Sequence, residues 1–321
     1  MTLIEYQYFA PLANARGHFR SLTVPEPFKI ERWQRAKMVK LWRQLAWLPK
    51  LEIEVQTEDR EVVPHDYDVG HVVVATLRRT SINEGADWLS RIHGLDKLED
   101  LLKERLRLVG LYLCGQPELA ASYWYTVEDG KPELAYGGMS TTSIRAFPIT
   151  PNQNTIRATN EFSRVRKLPL SPDYLQTALE HWEESHRSKQ KHLEFFSLMV
   201  ALETLFNVGA QDIRYRVSRS VAVLLGDDAD ESDYIFEVVK EAYDVRSKLV
   251  HTGKPKGLDK VWLWHLRRIV QASILKMLEL QLPKDEISAR LTRLGFGEGG
   301  RVTANPSIER TGLRPAAHVK R

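Results

Sequence analysis

Tyr243-Asp244-Val245-Arg246-Ser247-Lys248-Leu249-Val250-His251-Thr252-Gly253 reads as the closing turns of an amphipathic helix, stopped by Gly253 and the Lys254-Pro255 pair behind it. It sets an arginine and a histidine five positions apart. Arginine is permanently cationic and forks onto phosphate oxygens. Histidine is the side chain best suited to moving protons near neutral pH. In a continuous helix, five positions turn about 500° and leave the two side chains about 140° apart. Convergence on one phosphate therefore needs the helix to stop between them or at the histidine. The punctuation predicts that Arg246 projects from the last turn and His251 from the turn that leaves it. The plainer alternative is an arginine on a solvated face and a histidine capping the last carbonyls.

Outward from this stretch, helical signals dominate. Helices are expected over Tyr174–Arg187, Gln190–Phe206, Gln211–Leu225, Ser232–Val250 and Leu258–Leu282. Asp230 or Ser232 is the expected cap of the fourth. The segments Phe196-Ser197-Leu198-Met199-Val200-Ala201-Leu202-Glu203-Thr204-Leu205-Phe206, Asp212–Gly226 and Tyr243–His251 follow one another as "ALE-x-LF", "YR-x-x-x-R-x-A-x-LL" and "Y-D-x-RS-x-x-V-H".

This succession resembles the HEPN superfamily, in particular the Apea-like HEPN domains, over roughly residues 170–282. The resemblance implies an all-α bundle that forms a homodimer. Many members are metal-independent ribonucleases of antiviral defence, toxin–antitoxin pairs and RNA processing; others are non-catalytic binding or scaffold modules. It implies catalytic roles for Arg246 and His251, no metal and no cofactor. The implied partners are RNA, a second copy of the chain, and an antitoxin or a phage-derived trigger.

On this reading His251 takes the proton from a ribose 2′-hydroxyl or gives one to the leaving 5′-oxygen, and Arg246 neutralises charge on the phosphorane-like transition state. One histidine cannot serve both ends of an in-line displacement at once, so a dimer with two Arg-His pairs across a shared cleft is expected. Ser247 can hydrogen-bond but does not titrate usefully. Tyr243, three positions before Arg246, shares its face. Glu203 either orients Arg246 or His251 from a neighbouring helix or stands exposed between Leu202 and Leu205. Lys248 and Lys254 flank the site as candidate backbone contacts. Arg216 and Arg219 share one side of their helix, with Arg214 about 160° from Arg216. They are candidates for RNA phosphates or for a solvated face paired with Asp227, Asp228 or Asp230.

Two further patterns carry little. His181, His186 and His192 cannot share an ion along one straight helix, since His181 and His192 lie about 16 Å apart along it. Gly295-Phe296-Gly297-Glu298-Gly299-Gly300 matches a dinucleotide fingerprint in letters alone, because that motif needs a preceding strand and a following helix.

The chain has 321 residues, room for two domains. Its one cysteine, Cys114, excludes an internal disulfide. No signal peptide and no membrane-spanning run is visible, so a cytoplasmic protein is expected. The net charge is +4. From Pro283 onward there are 8 basic and 4 acidic residues, 8 − 4 = +4, so this tail holds the whole excess. Bulk charge therefore gives no case for RNA binding by the rest of the chain.

Residues 1–165 read as a mixed α+β domain of sensor or regulatory character. A helix is expected over Phe28–Leu48, strands over Leu51–Val55 and His71–Leu77, and a helix over Ala86–Leu113. Ser122–Val127 and Glu133–Tyr136 around Asp129-Gly130 predict a hairpin. A linker is expected over about 148–172. The fold class is thus α+β: a mixed N-terminal domain, a HEPN-type helical bundle over 170–282, and a basic tail over 283–321, largely disordered.

Overall fold

The computed structural model describes residues 3–45, 69–80, 88–139, 149–188, 190–207, 209, 211–253 and 258–299. The predicted strand Leu51–Val55, Lys254 and the tail beyond Gly299 lie outside the described residues. The class is α+β, and the chain divides into two compact units, Met1–Lys167 and Leu168–Arg321. Among the described residues no helix is long and apolar enough to cross a membrane.

The first unit is built on an antiparallel six-stranded sheet of order β2 (Lys29–Gln34), β3 (Val69–Thr80), β1 (Leu3–Ala13), β5 (Ala121–Glu128), β6 (Lys131–Met139), with β4 (Glu118–Leu119) pairing β1. Side chains alternate between its faces. On one face Tyr8, Ala10, Leu12, Val73 and Trp124 pack with Leu95, Leu102, Leu106 and Val109 of α2 (Trp88–Leu113). On the other, Phe9, Val72, Tyr123 and Tyr125 pack with Met38 and Leu45 of α1 (Arg35–Leu45). The predicted hairpin is present as β5 and β6. Asp129 (φ 50°) and Gly130 (φ 75°) both take the left-handed region, which a two-residue turn with the twist of its strands demands.

Two expectations for this unit are corrected. The helix predicted from Phe28 is a strand as far as Gln34, because Lys29–Gln34 pairs with Val74–Val69 and buries Ile30 on the sheet. The linker predicted over 148–172 contains a helix, α3 (Gln153–Val165). Asn152 caps it by accepting from the Thr155 amide, and Ile156, Thr159 and Ser163 form its buried stripe.

The second unit is helical: α4 (Asp173–Arg187), α5 (Lys191–Phe206), α6 (Ile213–Leu225), α7 (Ala229–Thr252), α8 (Lys260–Leu280) and α9 (Lys284–Arg293). The core helix α8 buries Leu263, Leu266, Val270 and Ile274. Trp182 of α4, Phe195 and Leu198 of α5, Val221 of α6 and Ile235 of α7 are equally buried. Asp228, rather than Asp230 or Ser232, caps α7 by accepting from the Glu231 amide.

The tail expectation is corrected over residues 284–299. Ile287 and Leu291, one turn apart, are buried and seat α9. Arg219 donates to the Leu291 carbonyl (3.0 Å) and to the Leu294 carbonyl, closing the helix's C-terminal end. Beyond it, Phe296 meets Phe236 and the Gly297 amide donates to Ser232 Oγ. The Gly-rich segment up to Gly299 thus packs on the α6–α7 turn and follows a helix, not a strand.

His186, in the last turn of α4, is buried edge-on against Trp182. Burial, then the charges of Arg267 and Arg187, hold its imidazole well below the ordinary histidine value. A neutral folded imidazole means that the unfolded chain binds the extra proton once pH drops below about 6.5, so stability falls with acidification from there downward. The loss is at most about 1.4 kcal/mol per pH unit. His265, lowered by its own partial burial, acts in the same direction. His186→Gln should flatten the difference in urea midpoint between pH 7.5 and 5.5; an unchanged difference would clear His186 of the effect.

Candidate functional site

Helix α7 does not break between Arg246 and His251. It runs to Thr252, and Gly253 alone takes the left-handed turn (φ 65°, ψ 6°) with its amide on the Leu249 carbonyl. The stop signal takes effect after His251, not before it. The expected exit of His251 from the helix is therefore corrected. On a continuous helix the two side chains of one chain diverge by about 140°.

They accordingly belong to different faces of α7. Tyr243, Arg246 and Val250 follow one another at i, i+3 and i+7. Arg246 is 38% exposed and its Nη1 pairs with Oε1 of Glu203, which projects from α5 and is 21% exposed. So Glu203 reaches Arg246 and not His251. One guanidinium nitrogen is anchored, and five donors in a fixed fork leave others for a second anion. Tyr243 lies beneath, 8% exposed. Burial, then the charge of Glu203, push its phenol far above the ordinary tyrosine value, while Arg246 pulls the other way. It is a neutral packing piece under the ion pair.

The other face carries Asp244, Lys248 and His251 at i, i+4 and i+7, with Ser247 one turn before His251. Ser247, Lys248 and His251 are all exposed. Asp244 takes Arg214 of α6 in a 2.7 Å ion pair. His251 sits in the last turn of the helix.

The basic residues of α6 separate in role. Arg219 is taken up by the end of α9 and does not present itself to a phosphate. Arg216 lies half-buried over the turn before α6, its Nη1 3.5 Å from the Gln211 carbonyl. None of the three pairs with Asp227, Asp228 or Asp230; Arg214 pairs with Asp244 instead.

One feature escaped the sequence reading. Alongside Glu203, the outer side of α5 is apolar: Leu193 is 48% and Val200 37% exposed, with Phe196 half-buried between them. Val250 of α7 is 65% exposed. The inner side of α5 is also apolar, through Phe195, Leu198, Leu202 and Leu205. A helix apolar on both sides is expected to be covered on both. The signal was the apolar run Phe195–Leu202, interrupted only by Ser197. Among the described residues no three His, Cys, Asp or Glu side chains gather as a metal cage. The chain matches no family model, no curated protein and no solved structure.

Proposed function

We propose that the helical unit is an RNA-directed module of HEPN type, acting in the cytoplasm as a metal-independent endoribonuclease in homodimeric form. One observation carries the reading: Arg246 is anchored by Glu203 yet open to solvent, at the edge of an apolar helix side that stays exposed among the described residues. An arginine held this way offers a fixed cationic fork to a phosphate. In the reaction the ribose 2′-oxygen attacks the adjacent phosphorus, losing its proton to a histidine, and the 5′-oxygen leaves with a proton. The products are a 2′,3′-cyclic phosphate and a 5′-hydroxyl. Arg246 neutralises the charge that builds on the phosphoryl oxygens. Because Arg246 and His251 of one chain diverge, the cleft is completed by a second copy laid against the α5 and α7 faces. An antiviral-defence or toxin setting, with an antitoxin or phage-derived trigger, belongs to the same reading.

The second reading is a non-catalytic module that binds RNA or a protein partner. It is favoured by the unbroken helix and by the partial neutralisation of Arg246 by Glu203. The two separate on structured RNA incubated with purified protein in EDTA. The parent is expected to leave 2′,3′-cyclic phosphate ends, and Arg246→Ala and His251→Ala each to slow cleavage by about 100-fold or more. RNA retained by an uncleaving parent selects the binding module.

A further inference from the structure

We infer that the N-terminal unit carries a binding groove for an organic anion of mononucleotide size, with a flat ring and a charged end. This is independent of the RNA reading of the helical unit. Helix α1 covers part of its sheet face through Met38 and Leu45. Beside it a groove of about 780 Å³ remains, bounded by α1, the segment from Glu26 to Trp33, and strands β1, β3 and β5. That volume lies in the usual range of small-molecule sites, about 300–1,000 Å³.

The lining has two characters. Trp33, Leu41, Val74 and Tyr125 give an apolar floor. Lys29, Lys37 and Lys40 line the groove as well, all exposed, and none has a carboxylate partner among the described residues. Of the acids at the rim, Glu31 accepts from Trp33 Nε1 at 2.7 Å, and Glu26 is exposed. Three exposed ammonium groups around an apolar floor match a ligand that is apolar at one end and anionic at the other.

Trp33 is the ring platform. Phe9 stacks on it, with centroids 5.5 Å apart and planes 24° apart, and Glu31 holds its N–H. The Lys37 ammonium stands 3.6 Å over the indole. A flexible ammonium over an indole is an exchangeable cover. A planar ring can replace it, and the displaced Lys37 then meets the anionic end of the same ligand. A polynucleotide needs successive stacking platforms. Here Phe28 and Tyr125 are buried at 4% and 6% exposure, so one ring position is on offer.

Calorimetry on the full chain with three probes tests this: AMP carries ring and anion, adenosine the ring alone, inorganic phosphate the anion alone. AMP is expected to bind, with adenosine and phosphate each weaker by more than tenfold. The double variant Lys29→Glu, Lys40→Glu alters only exposed side chains and is expected to lose AMP binding with an unchanged melting temperature. Leu41→Trp, which fills the floor, is expected to do the same. Absence of AMP binding, equal binding of adenosine, or AMP binding untouched by both variants would overturn the inference. So would a single-stranded oligonucleotide that binds the groove more tightly than AMP and is lost in the same variants.

Discussion

Arg267→Ala is expected to destabilise the helical unit by about 3–5 kcal/mol, the cost of removing one partner of a buried ion pair. The Arg267 side chain is 7% exposed and pairs with Glu194 of α5, itself 17% exposed. It also donates from Nε to Ser185 Oγ (3.2 Å) and from Nη2 to the Ser185 carbonyl (3.1 Å). Ser185 lies in the last turn of α4, so the guanidinium also meets the negative end of that helix. The Arg267 carbonyl in turn accepts from Trp182 Nε1. One side chain therefore fixes α8 against α4 and α5 together. Truncation leaves a mostly buried carboxylate without its cation and a helix-end carbonyl without its donor.

The alternative account is that Arg267 merely fills volume, and the double variant separates the two. Arg267→Met with Glu194→Leu removes both charges and keeps apolar volume, so it is expected to recover most of the loss. Urea unfolding of the two single variants and the double variant gives the coupling directly. A double variant as unstable as Arg267→Ala would show that packing, not charge pairing, holds the three helices. A single variant losing less than about 1 kcal/mol would show that the cluster is solvated.

Helices α4 to α8 of the C-terminal unit were legible because of local punctuation. Pro172 precedes α4, Gly226 ends α6, and Gly253 ends α7. The Asp129-Gly130 hairpin was legible for the same reason. What escaped were elements whose logic is non-local. Strand β1 is central and buried on both faces, so Tyr8, Phe9 and Ala10 show no alternation, and Pro11 argues against a strand there. Strand β2 runs directly into α1, and Ile30 and Trp33 at a spacing of three imitate a helix. Helix α9 has only Ile287 and Leu291 to anchor it, and its end is held by Arg219, 72 residues back from Leu291.

The site divides the same way. The Tyr243–Arg246 face follows from a spacing of three. The Glu203 partnership was one of two open alternatives, because a carboxylate in an apolar helix either has a partner or faces water. The direction of His251 was beyond such reasoning, since moving a helix end by one residue turns a side chain by about 100°.

That divergence leads to the other large effect, complementation between two inactive variants. If the dimer holds two clefts, each using Arg246 of one chain and His251 of its partner as base, with water giving the leaving oxygen its proton in place of a second histidine, mixing Arg246→Ala with His251→Ala restores activity. In a heterodimer one composite cleft lacks both groups, and the other holds both. Random exchange makes half of the dimers mixed, so recovery of about a quarter of the parent rate is expected for a two-fold symmetric dimer. Each variant alone should stay about 100-fold or more below the parent. If each chain instead used its own pair, every cleft in the mixture would lack one group and no activity would return. Subunit exchange must be shown separately, with differently labelled copies, so that absence of exchange is not mistaken for absence of rescue. Val200→Glu, placed on the outer side of α5, supplies the matching control. It introduces a charge where a second copy would lie, and it is expected to yield monomers that retain the helical fold and lose cleavage. A monomeric parent that cleaves at full rate would defeat the composite cleft, because helix α7 alone holds its guanidinium and imidazole on different faces.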